Sequence, residues 1–169
     1  DDRGVRNLVV DQVQQALHAL LPGPGVDRLG PDDAPAYRAL RMRALWEFPE
    51  AFTSSWQEDE KQPMEVWELR LAGELSQFWG AFDDGQLCGM VGLERERRAK
   101  NKHKATVVGM YVSQEYFGTG MGRALFDELL KGARELGLEL LVLTVTEGND
   151  VAARFYEAAG FRSFGIEPK

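Results

Sequence analysis

Three glycines alternate across Val112-Ser113-Gln114-Glu115-Tyr116-Phe117-Gly118-Thr119-Gly120-Met121-Gly122-Arg123, where an apolar segment gives way to an amphipathic one. Glycine lets a backbone approach a ligand closely, and the first N–H groups of a helix have no partners within it. A strand-to-helix junction built this way is an anion site suited to a pyrophosphate. It is neither the dinucleotide fingerprint nor a Walker loop: the spacings differ and the Lys-Ser/Thr pair is missing. Taken alone, it reads equally as a Gly-rich turn with no ligand.

A second segment sharpens the choice. Asn149-Asp150-Val151-Ala152-Ala153-Arg154-Phe155-Tyr156-Glu157-Ala158-Ala159-Gly160-Phe161 follows some 25 residues after the glycines. Asn149 is placed to cap a helix, and Tyr156 falls within it, where an aromatic ring is ordinarily core. Few other side chains offer nucleophilic or acid–base chemistry. There are two histidines, His18 and His103, no Gly-x-Ser-x-Gly, and one cysteine, Cys88, within an apolar stretch. A histidine-based triad therefore has few possible members, and no Cys/His spacing resembles a zinc site.

The elements that must position these residues follow from periodicity. Leu8, Val9, Val13, Ala16, Leu17, Leu20 and Leu21 fall mostly on helical spacing before Pro22-Gly23-Pro24-Gly25. This predicts an N-terminal helical extension and linker over residues 1–25, with the main domain over 26–169. The apolar face of that helix needs the domain body or a second copy, so monomer and homodimer both stay open. A short strand is expected at 26–29, a helix at 34–47, and a loop or ragged helix exposing Phe52 and Trp56 at 48–61. Another helix is expected from Pro63 to about Leu75. The segment 77–82, Asp84-Gly85 and 87–95 read as a hairpin. A strand at 104–112, a helix from Gly120 to Gly137, a buried strand at 138–145, a helix to Ala159 and a strand at 161–164 complete the order. The fold class is α/β (α+β mixed), a three-layer domain around one mixed sheet.

The two motifs together, Gly-x-Gly-x-Gly and Asn-x-x-Ala-x-x-x-Tyr-Glu-x-x-Gly-Phe, strongly resemble the GCN5-related N-acetyltransferase (GNAT) superfamily. Leu40-Arg41-Met42-Arg43-Ala44-Leu45 with Pro49-Glu50-Ala51-Phe52 looks like the first helix of small bacterial members. The resemblance implies a mostly antiparallel mixed sheet that splays between its fourth and fifth strands, here 104–112 and 138–145, to admit acetyl-CoA. It further implies that Phe117, Gly118, Thr119, Gly120, Met121, Gly122 and Arg123 surround the pyrophosphate, and that the strand edge at Met110, Tyr111 and Val112 pairs with the pantetheine amides. Asn149 would bond the pantetheine arm, and Tyr156 would lie by the thioester sulfur as the catalytic group and cofactor contact. Phe52 and Trp56 are candidates for the acceptor pocket, as is Glu94 for the base. Two departures stand out: Phe117 occupies the place where members carry Arg or Gln, and the closing C-terminal strand looks missing.

The function this implies is transfer of an acetyl group from acetyl-CoA to a primary amine of a small molecule or protein, with CoA as product and no metal. The alternative is a non-catalytic acyl-CoA-binding regulatory module. With 169 residues, 20 Lys+Arg against 27 Asp+Glu and a formal charge of −7, the chain is a poor match for nucleic acid or an anionic membrane. Residues 94–104 nonetheless carry six cations against two carboxylates, a local +4 that leaves −11 for the rest. That acidic remainder favours a cationic acceptor. A lone cysteine, no long apolar run and no signal-peptide layout lead to the expectation of a cytoplasmic protein.

Overall fold

The computed structural model describes residues 4–10 and 25–167. Its strands are β1 (Val5–Val10), β2 (Gly25–Arg28), β3 (Ser76–Asp83), β4 (Gln86–Arg95), β5 (Lys104–Val112), β6 (Leu140–Thr146) and β7 (Arg162–Glu167). They form one sheet in the order β2-β3-β4-β5-β6-β1-β7. The helices are α1 (Ala34–Glu47), α2 (Trp56–Glu60), α3 (Met64–Ala72), α4 (Met121–Glu135) and α5 (Asp150–Ala158).

Strand alternation sends apolar side chains to both faces, so both must be covered. Leu87 and Met90 of β4 join Tyr37, Leu40 and Trp67 of α1 and α3 in one buried cluster. Cys88, Val91 and Leu93 of the same strand join Leu125, Phe126 and Leu129 of α4, with Tyr156 of α5, in the other. This is the expected three-layer arrangement. Asp84 and Gly85, both at positive φ, make the β3–β4 hairpin turn. Every sheet pairing is antiparallel except that of β5 with β6.

That one parallel pairing is short. Lys104, Ala105 and Thr106 pair with Leu140, Leu141 and Val142, and the two strands part beyond this point. The sheet is thus splayed where the resemblance placed the opening. The ragged segment between α1 and α3 consists of a 3-10 turn at Pro49–Ala51 and the short α2. Helix α2 is started by a reciprocal cap: Glu58 N–H donates to Ser55 Oγ at 3.2 Å, and Ser55 N–H to Glu58 Oε2 at 2.8 Å.

The N-terminus differs from its helical expectation. Val5–Val10 is a strand, antiparallel to β6 on one side and to β7 on the other. Leu8, Val9 and Val10 are buried there. The helical spacing counted from Leu8 to Leu21 mixes two segments, and for the first of them a slot between two strands wins because it satisfies both rows of backbone groups. Strand pairing therefore crosses the boundary expected at residue 25. The slot between β6 and β7 is filled by β1. The rest of the expected extension, residues 11–24, lies outside the described residues.

Candidate active site

The glycine segment joins β5 to α4 through a turn. Ser113 leaves β5 into a 3-10 turn at Gln114–Tyr116, and α4 begins at Met121. Gly118 and Gly120 stand at φ 76° and 86°, left-handed values that glycine adopts without the clash a side chain would bring. The turn is held by Thr119, whose N–H and hydroxyl both donate to the Tyr116 carbonyl, at 3.2 and 2.5 Å. Met121 N–H donates to Thr119 Oγ1 at 3.4 Å. The N–H groups of Gly118, Gly120, Gly122 and Arg123 have no acceptor among the described residues. Four free donors at the start of a 15-residue helix make a cradle of the kind that suits an anion. The Arg123 guanidinium is engaged separately, its Nε donating to Asp127 Oδ1 at 3.1 Å, so this residue's free contribution to the cradle is its backbone N–H. Phe117 is 58% exposed beside the loop.

The cradle opens onto the splay. Beyond Thr106 the edge of β5 that faces β6 is unpaired, which leaves the backbone of Val107–Val112 available to an extended ligand on that side. A bulge interrupts the β4–β5 register between Met90 and Gly92, opposite Gly109 at φ 62°. Gly122 brings α4 close to this strand: a Cβ there would lie 3.4 Å from Met110 Cε and 3.7 Å from Phe155 Cε2. Met110 and Val112 pack against the α4-side core, whereas Tyr111, past the bulge, joins the α1-side core. Across the mouth, Thr146 Oγ1 of β6 donates to the Glu50 carbonyl at 3.0 Å, so the segment after α1 bridges to the far wall.

Tyr156 sits in α5 with its ring edge-on to Phe126, Phe155 and Phe161, at centroid distances of 5.5, 5.3 and 5.9 Å. Burial raises its phenol pKa well above the ordinary value, and its hydroxyl has no protein partner among the described residues. It is a protonated O–H in an apolar shell, positioned by helix packing rather than by hydrogen bonds. Asn149 caps the same helix, its Oδ1 accepting from Ala152 N–H at 3.2 Å.

Charged residues that sequence reasoning left unassigned brace the α1 side. Tyr111 donates to Glu47 Oε2 at 2.7 Å, and Arg43 spans Glu47 Oε1 at 2.8 Å and Glu115 Oε1 at 2.9 Å. The Tyr111 hydroxyl, then Arg43, hold the Glu47 carboxyl below its usual range, while burial and the Glu47 contact raise the Tyr111 phenol. Nearer the bulge, Arg41 Nε meets Asp59 Oδ2 at 3.1 Å and Nη2 meets Ser54 Oγ at 2.8 Å, with side chains 12% and 6% exposed for the ion pair. The Arg41 guanidinium also lies over the Phe52 ring at 5.1 Å, and its Nη1 is 3.3 Å from where a Gly109 Cβ would stand. Phe52 is thereby brought to the bulge. The sequence signal for these pairs was weak, since cations at 41 and 43 fit any amphipathic helix.

Other candidates are not gathered in. Trp56 is half-buried against Trp46 at 6.2 Å, on the outside of the α1–α2 connection. Glu94 is exposed, opposite Thr106 and Ser76, where β5 is still joined to β6. The basic hairpin 95–104 lies at the start of β5 and the glycine loop at its end, so about 26 Å of strand separates them. Among the described residues no group of His, Cys, Asp and Glu is arranged to hold a metal ion, and no helix is long and apolar enough to cross a membrane.

Comparison with known proteins agrees with this geometry. Residues 41–161 match the model of the acetyltransferase (GNAT) family. The chain is 32% identical over 139 residues to a mycothiol acetyltransferase from Thermobispora bispora, an alignment covering 80% of this chain but 45% of that protein. It is 31% identical over 109 residues to the N-alpha-acetyltransferase RimI of Mycobacterium tuberculosis, covering 64% of this chain and 66% of the relative. The chain thus spans about half the length of the mycothiol relative. Among solved structures, the GNAT acetyltransferase of Streptococcus pneumoniae superposes with a TM-score of 0.71 at 25% identity, over 80% of this chain and 82% of that one. With the family model matched over most of its length and a relative more than 30% identical over 80% of it, this chain belongs to the GNAT acetyltransferase family.

Proposed function

We propose that this domain transfers an acetyl group from acetyl-CoA to a primary amine. The observation that carries the reading is the free edge of β5 running into four unbonded N–H groups at the start of α4. An extended pantetheine would bond the first and a pyrophosphate the second, with no cationic side chain needed. When bound, acetyl-CoA supplies a thioester whose carbonyl an amine attacks, releasing CoA as a thiolate. In this reading Tyr156, a buried phenol whose pKa is raised by desolvation, is the hydrogen-bond and proton donor to that thiolate, and the proton lost by the amine restores the phenol. Asn149, whose Oδ1 caps α5, keeps its amide hydrogens for the pantetheine arm in this reading. Phe52 under Arg41 forms the acceptor-side wall near the bulge.

Two features support an amine as the acceptor. The chain outside the basic hairpin is strongly acidic, which draws cations toward it. One relative, moreover, is named as an N-alpha-acetyltransferase. A cytoplasmic setting belongs to the same reading, since the single thiol of Cys88 is free and buried.

The test is CoA release from acetyl-CoA over a panel of primary amines, comparing the wild-type chain with Tyr156→Phe. Loss of the proton donor lowers kcat by about 10²-fold while CoA binding is retained. CoA binding without turnover on any amine overturns the transferase reading in favour of a regulatory acyl-CoA-binding module.

A further inference from the structure

The arginines that brace the body of the domain meet carboxylates: Arg41 pairs with Asp59, Arg43 with Glu47 and Glu115, and Arg123 with Asp127. The connection between β4 and β5 is different. Arg95, Arg97, Arg98, Lys100, Lys102 and Lys104 stand within ten residues, and among the described residues none of the six makes an ion pair or a side-chain hydrogen bond. Arg97, Arg98, Lys100 and Lys102 are exposed. Acids are at hand, yet they stay apart. Glu94 and Glu96 lie on the same hairpin, Glu74 and Glu139 flank residues that anchor its base, and none of these carboxylates pairs with a hairpin cation.

The backbone holds this charge in a fixed frame. Arg95 N–H donates to the Leu75 carbonyl at 2.7 Å, and the His103 carbonyl accepts from Glu139 and Leu140 N–H at 2.8 and 3.0 Å. At the tip, Asn101 N–H closes the 3-10 turn of Ala99–Asn101 onto the Arg98 carbonyl at 2.9 Å. Like charges are thereby gathered on one turn, and their mutual repulsion is offset by no ion pair among the described residues. An anionic partner laid against the turn relieves that repulsion and is drawn to it over a distance of about a Debye length, ~8 Å at physiological salt.

We propose that the β4–β5 hairpin is a docking surface for an acidic polypeptide segment, a run of Asp and Glu on another protein, whose carboxylates meet Arg97, Arg98, Lys100 and Lys102. Guanidinium groups suit this role because they pair with carboxylates through two parallel hydrogen bonds. Two observations favour carboxylates over the phosphates of a nucleic acid. Residues 94–104 include no Phe, Tyr or Trp on which a base would stack. The formal charge of −7, less the hairpin's +4, leaves −11 on the rest of the chain, which repels a phosphate backbone long enough to run past the turn. A short acidic segment confined to the turn escapes that repulsion. The surface lies at the opposite end of β5 from the glycine cradle and does not depend on acetyl transfer.

The experiment uses the full chain without acetyl-CoA, so that its outcome is independent of whether the domain is a transferase. Fluorescein-labelled octaglutamate is titrated by fluorescence anisotropy, with an oligothymidylate of equal charge as the nucleic-acid probe. Octaglutamate binds saturably with a Kd on the order of 10 μM at low salt, and about tenfold more weakly at about 0.5 M salt. Oligothymidylate binds more weakly than octaglutamate. The double variants Arg97→Glu, Arg98→Glu and Lys100→Glu, Lys102→Glu each raise the Kd for octaglutamate at least about tenfold. Lys61→Glu with Lys131→Glu, the same charge change at exposed positions on the body, leaves it within about twofold. Should a hairpin variant fail to fold, amide NMR of the wild-type chain decides, with octaglutamate shifting the amides of residues 97–102. The proposal is overturned if octaglutamate does not bind, if oligothymidylate binds as tightly, if the body variant weakens binding as much as the hairpin variants, or if the shifts lie outside the hairpin. It is equally overturned if the chain forms a salt-sensitive dimer that the hairpin variants abolish, since the acidic partner is then a second copy.

Discussion

Tyr111 on β5 donates its hydroxyl to the Glu47 carboxylate at the end of α1, 2.7 Å away and 64 residues earlier in the chain. The contact fastens the helix that bounds the acceptor side to the strand that carries the bulge. Its sign with pH follows from the shift. Glu47 has a lowered pKa in the folded protein, first through Tyr111 and then through Arg43, so the stabilisation is present above the unfolded carboxylate value and is lost as pH falls through the folded one. Tyr111→Phe is expected to cost about 1 kcal/mol near neutral pH, or about 2–4 °C in Tm. The gap between variant and wild type narrows toward acid pH, which thermal melts across the carboxylate range will show.

The Arg41–Asp59 pair tests whether the ionic framework beside Gly109 is structural. Both side chains are nearly buried, so removing one partner strands a charge. Asp59→Leu is expected to destabilise by about 3 kcal/mol, and the double variant Arg41→Leu, Asp59→Leu to recover a large part of that loss. Urea denaturation midpoints of the two single variants and the double one measure the coupling.

Gly122 bears on ligand entry rather than stability. A Cβ at this position makes ordinary contacts with Met110 and Phe155, but the two methyls of valine extend into the junction of α4, β5 and α5. Gly122→Val is expected to raise the Kd for CoA about tenfold while Tm moves by only a few degrees. Calorimetric titration with CoA, paired with a melt, separates the two effects.

Leu8 reports on the strand that completes the sheet. It is fully buried between β6 and β7 neighbours. Leu8→Ala is expected to cost about 3 kcal/mol, lowering Tm by roughly 6–12 °C. A loss well under a third of this would mean that β1 does not occupy its slot in solution.

The parts of this protein legible in the sequence are those whose signal is local. Asp84-Gly85 declares a hairpin, the alternating glycines declare a turn into α4, and Asn149 declares the start of α5. The strand, glycine turn and helix that carry the two motifs were legible because the residues concerned lie within short, continuous segments. What stayed hidden is made of long-range partnerships. Nothing near Arg43 announces that it will span Glu47 and Glu115. Glu94 was attractive as a base because it follows a buried strand, but register sets it opposite Thr106, away from the bulge. The strand at Val5–Val10 was lost for the same reason: its partners are β6 and β7, and the helical spacing that ran on through Leu21 outweighed its own β-branched residues.

The position of β1 also sets an order for biogenesis. Val5 pairs with Thr146 and Glu167, partners that leave the ribosome long after it does. Until then the segment Leu8-Val9-Val10 is an apolar strand with no edge to join, and the gap between β6 and β7 is a pair of edges with no filler. Closing it over such a sequence separation is the slowest kind of contact to form. Docking of β1 between β6 and β7 is therefore expected late in folding, and until then both edges stay open to mispairing.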